Sequence, residues 1–219
     1  MTRALLELSA TDSPQHENRF YGVEVADVIN NIDLQGQGRV EVRFPRLSGS
    51  ITAWAPVAVL WAGPDRGTFF IPEPGDQVLV GFRNGDLRHP YVLGSLWNAL
   101  KRPPVPTPAL KQWKIRTVAG HELTFDDLMQ SITIETINKQ KITLEPDKIE
   151  IVDDEEGTHR ITFDQKGITL EAKDGDIVLK APEGKLRIEV KNVEMKSSEQ
   201  TEIKAEKNCI VKGQQVRIN

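Results

Sequence analysis

The chain has 219 residues, with 28 Lys and Arg against 32 Asp and Glu, and a formal net charge of −4 at pH 7. This acidic balance gives a polyanion no electrostatic reason to bind, which disfavours a general function on nucleic acid or on an anionic membrane. The single cysteine, Cys209, excludes an intrachain disulfide and a cysteine zinc site. The N-terminus lacks the apolar core of a secretory signal, and the longest apolar stretch, residues 53–63, is about half a membrane span. We therefore expect a protein that is made and folded in the cytoplasm.

The composition changes near residue 115. All four tryptophans and 11 of the 13 prolines precede this point. Residues 1–115 carry 12 basic and 11 acidic side chains, whereas residues 116–219 carry 16 and 21. We therefore expect four parts, which are an N-terminal arm at 1–17, a small domain at 18–100, a proline-rich linker at 101–115 and a repetitive segment at 116–219.

Short runs of alternating apolar residues predict the strands of the first domain. These runs lie at residues 21–29, 39–44, 53–61, 68–71, 77–82 and 91–96, and glycine or proline clusters separate them. Residues 35–39 (QGQGR) lead into a strand, so they are predicted to form a hairpin turn and not a phosphate loop. Without any amphipathic helix, the pattern predicts an antiparallel barrel that is compatible with an oligonucleotide/oligosaccharide-binding (OB) fold. Four aromatic residues with apolar neighbours are predicted to be core or protein interface, namely Trp54, Trp61, Phe69 and Phe70.

The segment after the linker repeats one short motif. Two apolar residues flank a polar one, and the motif recurs every seven to twelve residues with glycine-containing turns between many repeats. The same pattern continues at Val193/Met195 and near the C-terminus. The residues predicted to form the core of this segment are Ile132, Ile134, Ile142, Leu144, Ile149, Ile151, Ile161, Phe163, Ile168, Leu170, Ile177, Leu179, Leu186 and Ile188.

Such short strands need a partner to bury their apolar side chains. Each strand carries only about two apolar residues on one face, and no aromatic residue follows Phe163. Several identical chains wrapped around a common axis would cover both the apolar faces and the open strand edges. Three is the smallest number of chains that encloses an axis as a prism, so we expect an all-β homotrimer with an elongated β-helical shaft. A single-chain solenoid and a plain β-sandwich are the alternatives, although repeats of about eight residues are too short to close a coil alone.

Five segments carry a resemblance to a known family. They are residues 38–45 (GRVEVRFP), 61–72 (WAGPDRGTFFIP), 73–82 (EPGDQVLVGF), 85–98 (GDLRHPYVLGSLWN) and 115–127 (IRTVAGHELTFDD). Together they resemble the baseplate spike family. This family comprises the baseplate assembly protein V of contractile phage tails, the valine-glycine repeat spikes of type VI secretion and the spikes of extracellular injection particles.

The resemblance implies a homotrimer in which OB barrels form a collar and the second segments intertwine as a triple-stranded β-helix needle. It implies that the collar docks on a hub at the end of the inner tube, next to other baseplate proteins. It also implies that a small tip protein with proline-alanine-alanine-arginine (PAAR) repeats binds the other end, and that sheath contraction drives the needle through the target envelope. We expect no cofactor, and the charge balance described above gives no reason to expect nucleic acid as a partner. Phage tail, secretion system and extracellular particle all remain open as the parent machine.

Departures from the family pattern refine these expectations. About 17 residues precede Asn18, so the hub is expected to be a separate protein. The roughly 15 residues between barrel and shaft are too few for the lysozyme domain that some phage spikes carry. No metal apex is expected, because none of the four histidines forms a His-x-His pair: His16, His89, His121 and His159.

The C-terminal residues continue the strand pattern. Val216, Ile218 and Asn219 are therefore expected to present a flat end that accepts the tip protein. Cys209 lies in a β-patterned stretch and is expected to be a small interior residue, not a reactive thiol.

Clustered carboxylates raise the possibility of an enzyme. A glycoside hydrolase needs two carboxylates at a fixed separation, one of them with a raised pKa. The densest groups here, Asp126-Asp127 and residues 153–156 (DDEE), have the composition of solvated turns, and His121 has neither a serine nucleophile nor metal-ligand spacing near it. We expect a structural protein without catalytic residues. A cell-wall glycan hydrolase and a nucleic-acid- or glycan-binding barrel with a fibrous tail are the alternative functions.

Overall fold

The structure is a computed structural model that describes residues 19–47, 51–105 and 111–217. The arm predicted at 1–17 lies outside the described residues. The described residues form an all-β structure, as predicted, apart from a short 3-10 turn at Arg83–Gly85. The strands are β1 (Val23–Asn30), β2 (Arg39–Arg43), β3 (Thr52–Pro56), β4 (Ala62–Gly63), β5 (Arg66–Gly67), β6 (Gln77–Phe82), β7 (Pro90–Leu96), β8 (Gln112–Arg116), β9 (Glu122–Asp126), β10 (Ser131–Glu135), β11 (Lys141–Leu144), β12 (Ile149–Val152), β13 (His159–Asp164) and β14 (Gly167–Ala172).

The first sheet curls towards a closed barrel. Its strand order is β3-β2-β1-β6-β7, and every neighbouring pair is antiparallel. The two outer strands approach each other where Val57 forms a bridge with Val92 and the Ala58 N–H donates to the Val92 carbonyl at 2.8 Å. Closure of this kind protects the strand edges that an open sheet would expose.

The barrel core follows directly from the alternation of apolar residues. Along β1, β2 and β6 every second side chain points inward, because successive residues of a strand face opposite sides of the sheet. The Phe44 ring packs on Phe82 with a centroid distance of 5.5 Å, and Phe20 meets Phe82 edge-on at the same distance. The buried core consists of Ala26, Val28, Val40, Val42, Phe44, Ala55, Val78, Val80 and Val92.

Two strand predictions in the barrel were wrong. The strand predicted at 53–61 ends at Pro56, and residues 68–71 form no strand. A tight hairpin of β4 and β5 occupies the region between them instead. Gly67 has φ +147°, and a Cβ there would lie 2.6 Å from the Trp61 carbonyl oxygen, so the hairpin requires glycine at this position.

The connection between β1 and β2 is a hairpin loop, as predicted for residues 35–39. Asp33 organises this loop by accepting hydrogen bonds from the backbone N–H groups of Gln35, Gln37 and Arg39. The Arg39 guanidinium donates to both carboxylate oxygens, at 3.1 and 2.7 Å, and lies over the Trp54 ring at 5.5 Å. The Arg39 side chain, followed by the backbone donors, holds the pKa of Asp33 well below its usual range.

The second sheet is a seven-stranded meander. Its order, β14-β13-β12-β11-β10-β9-β8, is the reverse of chain order, so each strand lies beside its sequence neighbour. β8 begins at Gln112, within the residues predicted as linker. The chain divides into two units after Glu171, so the residues that follow this sheet are described separately below.

Candidate functional site

One face of the second sheet carries two continuous ladders of apolar side chains. The registers of β8 to β13 place apolar residues directly opposite each other at five successive strand pairs. Directly paired side chains on one face are in contact, so each ladder forms a continuous apolar stripe. The first ladder is Trp113, Phe125, Ile132, Leu144, Ile149 and Phe163, and the second is Ile115, Leu123, Ile134, Ile142, Ile151 and Ile161.

These twelve residues, which we call the ladder face, include eight residues of the predicted core. The prediction omitted four residues of the first two strands, namely Trp113, Ile115, Leu123 and Phe125. The alternation was visible at Leu123 and Phe125, but Trp113 and Ile115 fell inside the predicted linker. Only the register shows that all twelve share one face.

The ladder face is open to solvent in the single chain. Ile134, Ile142 and Ile151 remain 45%, 37% and 37% exposed, although each has apolar neighbours on both adjoining strands. Large contiguous apolar patches are rare on monomeric proteins and mark surfaces that another molecule covers.

The opposite face of the sheet is polar and internally paired. Lys114 donates to Glu122 at 2.6 Å, and their side chains are only 18% and 21% exposed. Thr143 is buried in the middle of this face. These polar side chains are therefore less exposed than the apolar side chains of the ladder face. The ladder face is the face of the sheet that lacks a partner in the single chain.

The carboxylates considered as catalytic candidates instead organise turns. Asp126 accepts hydrogen bonds from the Gln112 side chain at 2.6 Å and from the backbone N–H groups of Leu128 and Met129. The Gln112 amide is the largest cause of a lowered Asp126 pKa. A hydrolase acid needs a raised pKa, so this environment does not suit general acid catalysis.

The same holds for the acidic turn between β12 and β13. Asp154 accepts a hydrogen bond from the Thr158 N–H at 2.9 Å, and Asp153 accepts one from the His159 N–H at 2.9 Å. Hydrogen bonds from Thr158 lower the pKa of Asp154, and hydrogen bonds from His159 lower that of Asp153. His121 lies in another turn, where its Nδ1 accepts a hydrogen bond from the Ile137 N–H at 3.4 Å. Among residues 19–47, 51–105 and 111–217, no three His, Cys, Asp or Glu side chains come together as metal ligands.

The second unit, described up to residue 217, has alternating side chains but no strand among its described residues after Ala172. The predicted core residues Ile177, Leu179, Leu186 and Ile188 are all exposed in the single chain. The predicted end residue Val216 is also exposed, whereas Ile218 and Asn219 lie outside the described residues.

Charged side chains in this unit pair two residues apart. Lys204 approaches Glu202 at 2.6 Å, and Lys196 approaches Glu194 at 2.8 Å. Pairing at this spacing places both charges on one side of an extended chain, opposite the apolar residues. The segment thus has one polar and one apolar side before any strand partner is present.

The barrel presents a second exposed surface. Trp61, Phe69 and Phe70 are exposed and do not belong to the barrel core. Of the two predicted alternatives, core or protein interface, the structure excludes the core for these residues. Trp61 and Phe69 line a recess beside the β4–β5 hairpin, and the loop at residues 36–38 forms its other side. Arg66 and Asp65 contribute one positive and one negative charge to this recess, which is not the basic groove that a single-stranded nucleic acid requires.

Comparisons with known proteins define the class of the barrel. Residues 25–97 match the family described as the Type VI secretion system/phage-baseplate injector OB domain. This match confirms the predicted OB-type barrel.

Curated relatives extend the similarity beyond the barrel. The chain is 32% identical over 136 residues to the type VI secretion system spike proteins VgrG2a and VgrG2b of Pseudomonas aeruginosa, and 32% identical over 125 residues to the spike protein VgrG3 of Vibrio cholerae. These matches cover 52–55% of this chain but only 12–16% of each relative. The resemblance to the spike family of phage baseplates and type VI secretion is confirmed, and it supports a structural role in such a baseplate.

Proposed function

We propose that the chain is the central spike of a contractile injection machine and acts as a non-enzymatic homotrimer. Residues 18–100 form the collar, residues 101–115 link it to the needle, and residues 116–219 contribute one third of a triple-stranded β-helix. Because β8 begins at Gln112, we extend the proposed needle to this residue and shorten the proposed linker to 101–111. The observation that carries this proposal is the ladder face, because ten of its twelve aligned apolar side chains remain more than a third exposed in the single chain.

The ladder face favours three chains over two. Two sheets packed face to face would cover the ladders but would leave the outer strand edges of both sheets open. Three faces around one axis bring each edge close to a neighbouring chain and enclose the apolar side chains as a shared interior. The second unit also has exposed apolar residues, such as Ile188 and Ile203. These residues need cover by other chains in the same way as the ladder face.

A needle of this kind works through its stiffness. Close-packed interiors resist continuous deformation, so an interior shared by three chains bends only if many contacts break together. The sheath would push this needle through the target envelope, with a separate hub protein behind the collar and a PAAR-repeat tip protein on Val216, Ile218 and Asn219. Assembly would take place in the cytoplasm on the baseplate, at the end of the inner tube.

Sedimentation equilibrium of the purified chain tests the trimer. The expected mass is three times the chain mass of 24.6 kDa. Negative-stain electron microscopy should show a rod on the order of 50 Å long, since about ten strand layers are spaced by roughly 4.8 Å. A stable monomer, or a trimer without a rod, would contradict the proposal.

Co-purification tests the two docking ends. We place the hub contact at the exposed aromatic residues beside the β4–β5 hairpin and the tip contact at the C-terminus. Phe69→Ser combined with Phe70→Ser should abolish binding to the hub of the same particle but leave the tip protein bound. Val216→Asp should have the opposite effect, so each variant is the control for the other. Retention of both partners by both variants would refute the assigned ends.

A further inference from the structure

The two parts of the proposed needle differ in how much structure the single chain provides. From β8 to β14 the backbone pairs within one chain, strand against neighbouring strand. After Ala172 the described residues contain no strand, although they keep the same alternation of apolar and polar side chains. The difference therefore lies in the available strand partners and not in the side-chain pattern.

We propose that the β8–β14 sheet of each chain folds first and nucleates the trimer, and that residues 173–217 become strands only afterwards, by pairing between chains. This order of assembly rests on the trimeric needle proposed above. It adds that the two parts of the needle have different roles. The β8–β14 sheets bring the three chains together in register, and residues 173–217 then extend the needle from these sheets.

Short connections make the sheet independent of other chains. The turns between β9 and β13 contain four to six residues, and each has hydrogen bonds of its own. The Thr136 N–H donates to the Gln140 carbonyl at 2.9 Å, and the Glu145 N–H donates to the Lys148 carbonyl at 2.8 Å. Closing such short loops costs little entropy, and local pairing forms quickly.

The second unit lacks this advantage. Ordering an extended backbone costs conformational entropy at every residue, and a strand recovers this cost only when it gains neighbours. If those neighbours come from two other chains, the first contact also requires the loss of translational freedom of three separate molecules. Association that starts in the second unit therefore loses backbone conformational entropy and translational entropy in the same step. Association through the ladder face loses only translational entropy, because its strands are already ordered within each chain.

Association through the ladder faces lowers the entropic cost of pairing for the second unit. Three copies of the segment that starts at residue 173 are then tethered to the same sheet assembly. Tethering replaces the bulk concentration with an effective concentration in the millimolar range for short flexible connections. Pairing between chains then proceeds from the sheet towards the C-terminus without a further bimolecular step.

Three single substitutions in the full chain test this order. Ile134→Lys places a charge on the ladder face, and Thr133→Lys places the same charge one residue earlier on the opposite face of β10. Ile203→Lys places it on the apolar side of the second unit. Mass in solution is measured by native mass spectrometry. Order after residue 172 is measured by the rate of tryptic cleavage at the Lys and Arg residues that the wild type already has in this unit. The fragments are identified by mass, so that cuts at an introduced lysine are not counted.

The expected results separate the two halves of the needle. Ile134→Lys should be monomeric, and its second unit should be cleaved at least 100-fold faster than in the wild type. Ile203→Lys should remain trimeric, with faster cleavage confined to the second unit. Thr133→Lys should match the wild type in both measurements. Tryptophan fluorescence serves as the folding control for the barrel when all chains also carry Trp113→Phe, which leaves only Trp54, Trp61 and Trp97. This signal should be unchanged in all three variants.

Other outcomes would overturn the proposal. If Ile203→Lys abolishes the trimer as completely as Ile134→Lys, the second unit takes part in nucleation. If Ile134→Lys remains trimeric, the ladder face does not nucleate assembly. A wild-type chain that is monomeric would instead refute the trimeric needle itself, so the failure of the two proposals is distinguishable.

Discussion

Ile142 offers a direct test of whether the ladder face is shared between chains. It lies opposite Ile134 on β10 and Ile151 on β12, near the middle of the sheet, and is 37% exposed in the single chain. Ile142→Ala removes three carbon atoms without adding a polar group. Its cost therefore depends mainly on how completely these atoms are buried.

Two different magnitudes follow for the two states of the chain. At roughly 0.8 kcal/mol for each buried carbon group, removing three groups that are about two-thirds buried costs about 1.5 kcal/mol in an isolated chain. In a closed trimer the site is fully buried, and an Ile→Ala change in a packed core costs about 2–5 kcal/mol per chain. Because the substitution occurs three times, the trimer would lose about 6–15 kcal/mol.

Unfolding by guanidinium at several chain concentrations distinguishes the two states. In chains that also carry Trp113→Phe, tryptophan fluorescence reports the barrel through Trp54, Trp61 and Trp97, and sedimentation velocity reports the trimer. We expect Ile142→Ala to shift trimer dissociation strongly and in a concentration-dependent way. Val28→Ala is the matched control, because Val28 is buried in the barrel core and its effect should not depend on concentration. A loss near 1.5 kcal/mol that is the same at every concentration would refute the shared ladder face.

Three further predictions concern the barrel and the second unit. Phe44→Ala should destabilise the barrel by about 3–5 kcal/mol, as thermal unfolding would show, and should leave the proposed trimer intact in native mass spectrometry at 25 °C, because Phe44 lies in the barrel core and not on the ladder face. Loss of the trimer would show that trimer formation depends on the barrel. Asp33 has a lowered pKa in the folded barrel, so its stabilising effect is complete above the ordinary aspartate pKa of 3.8 and is lost as the pH falls below it. Barrel melting in acid should therefore depend less on pH in Asp33→Asn than in the wild type, and equal pH dependence would refute this role. Cys209 is exposed in the single chain. It is an even number of residues from Ile203 and Val211, so in an extended strand it shares their side and would face the interior of the proposed needle. Maleimide should therefore label it slowly in the trimer and quickly in guanidinium, and rapid labelling of the native trimer would place the thiol outside.

The sequence alone was sufficient for the fold class and for the type of barrel. Alternation of apolar residues is a local property of the chain, so β1, β2, β6 and β7 were predictable within a few residues. The same alternation after residue 130 predicted strands whose apolar side needs a partner. The family resemblance lay in short motifs that are visible without any coordinates.

The tertiary structure decided which residues meet. Register depends on turn lengths and on pairing between distant residues, and a shift of one residue would move every side chain to the other face. The alignment of Trp113 with Phe125, and of both with Phe163 five strands away, could therefore not be read from spacing. Burial is likewise non-local. The sequence therefore left both core and protein interface open for Phe69 and Phe70, and the structure places both side chains on the surface.

The acidic turns show the same distinction for chemistry. The sequence showed that Asp126 and Asp153 belong to carboxylate clusters, which left a hydrolase as an alternative. The structure shows that hydrogen bonds from Gln112 and from the His159 backbone lower their pKa values, which suits turn formation and not general acid catalysis. The sequence thus located the carboxylates, whereas their role in turns depends on hydrogen-bond donors that the fold places beside them.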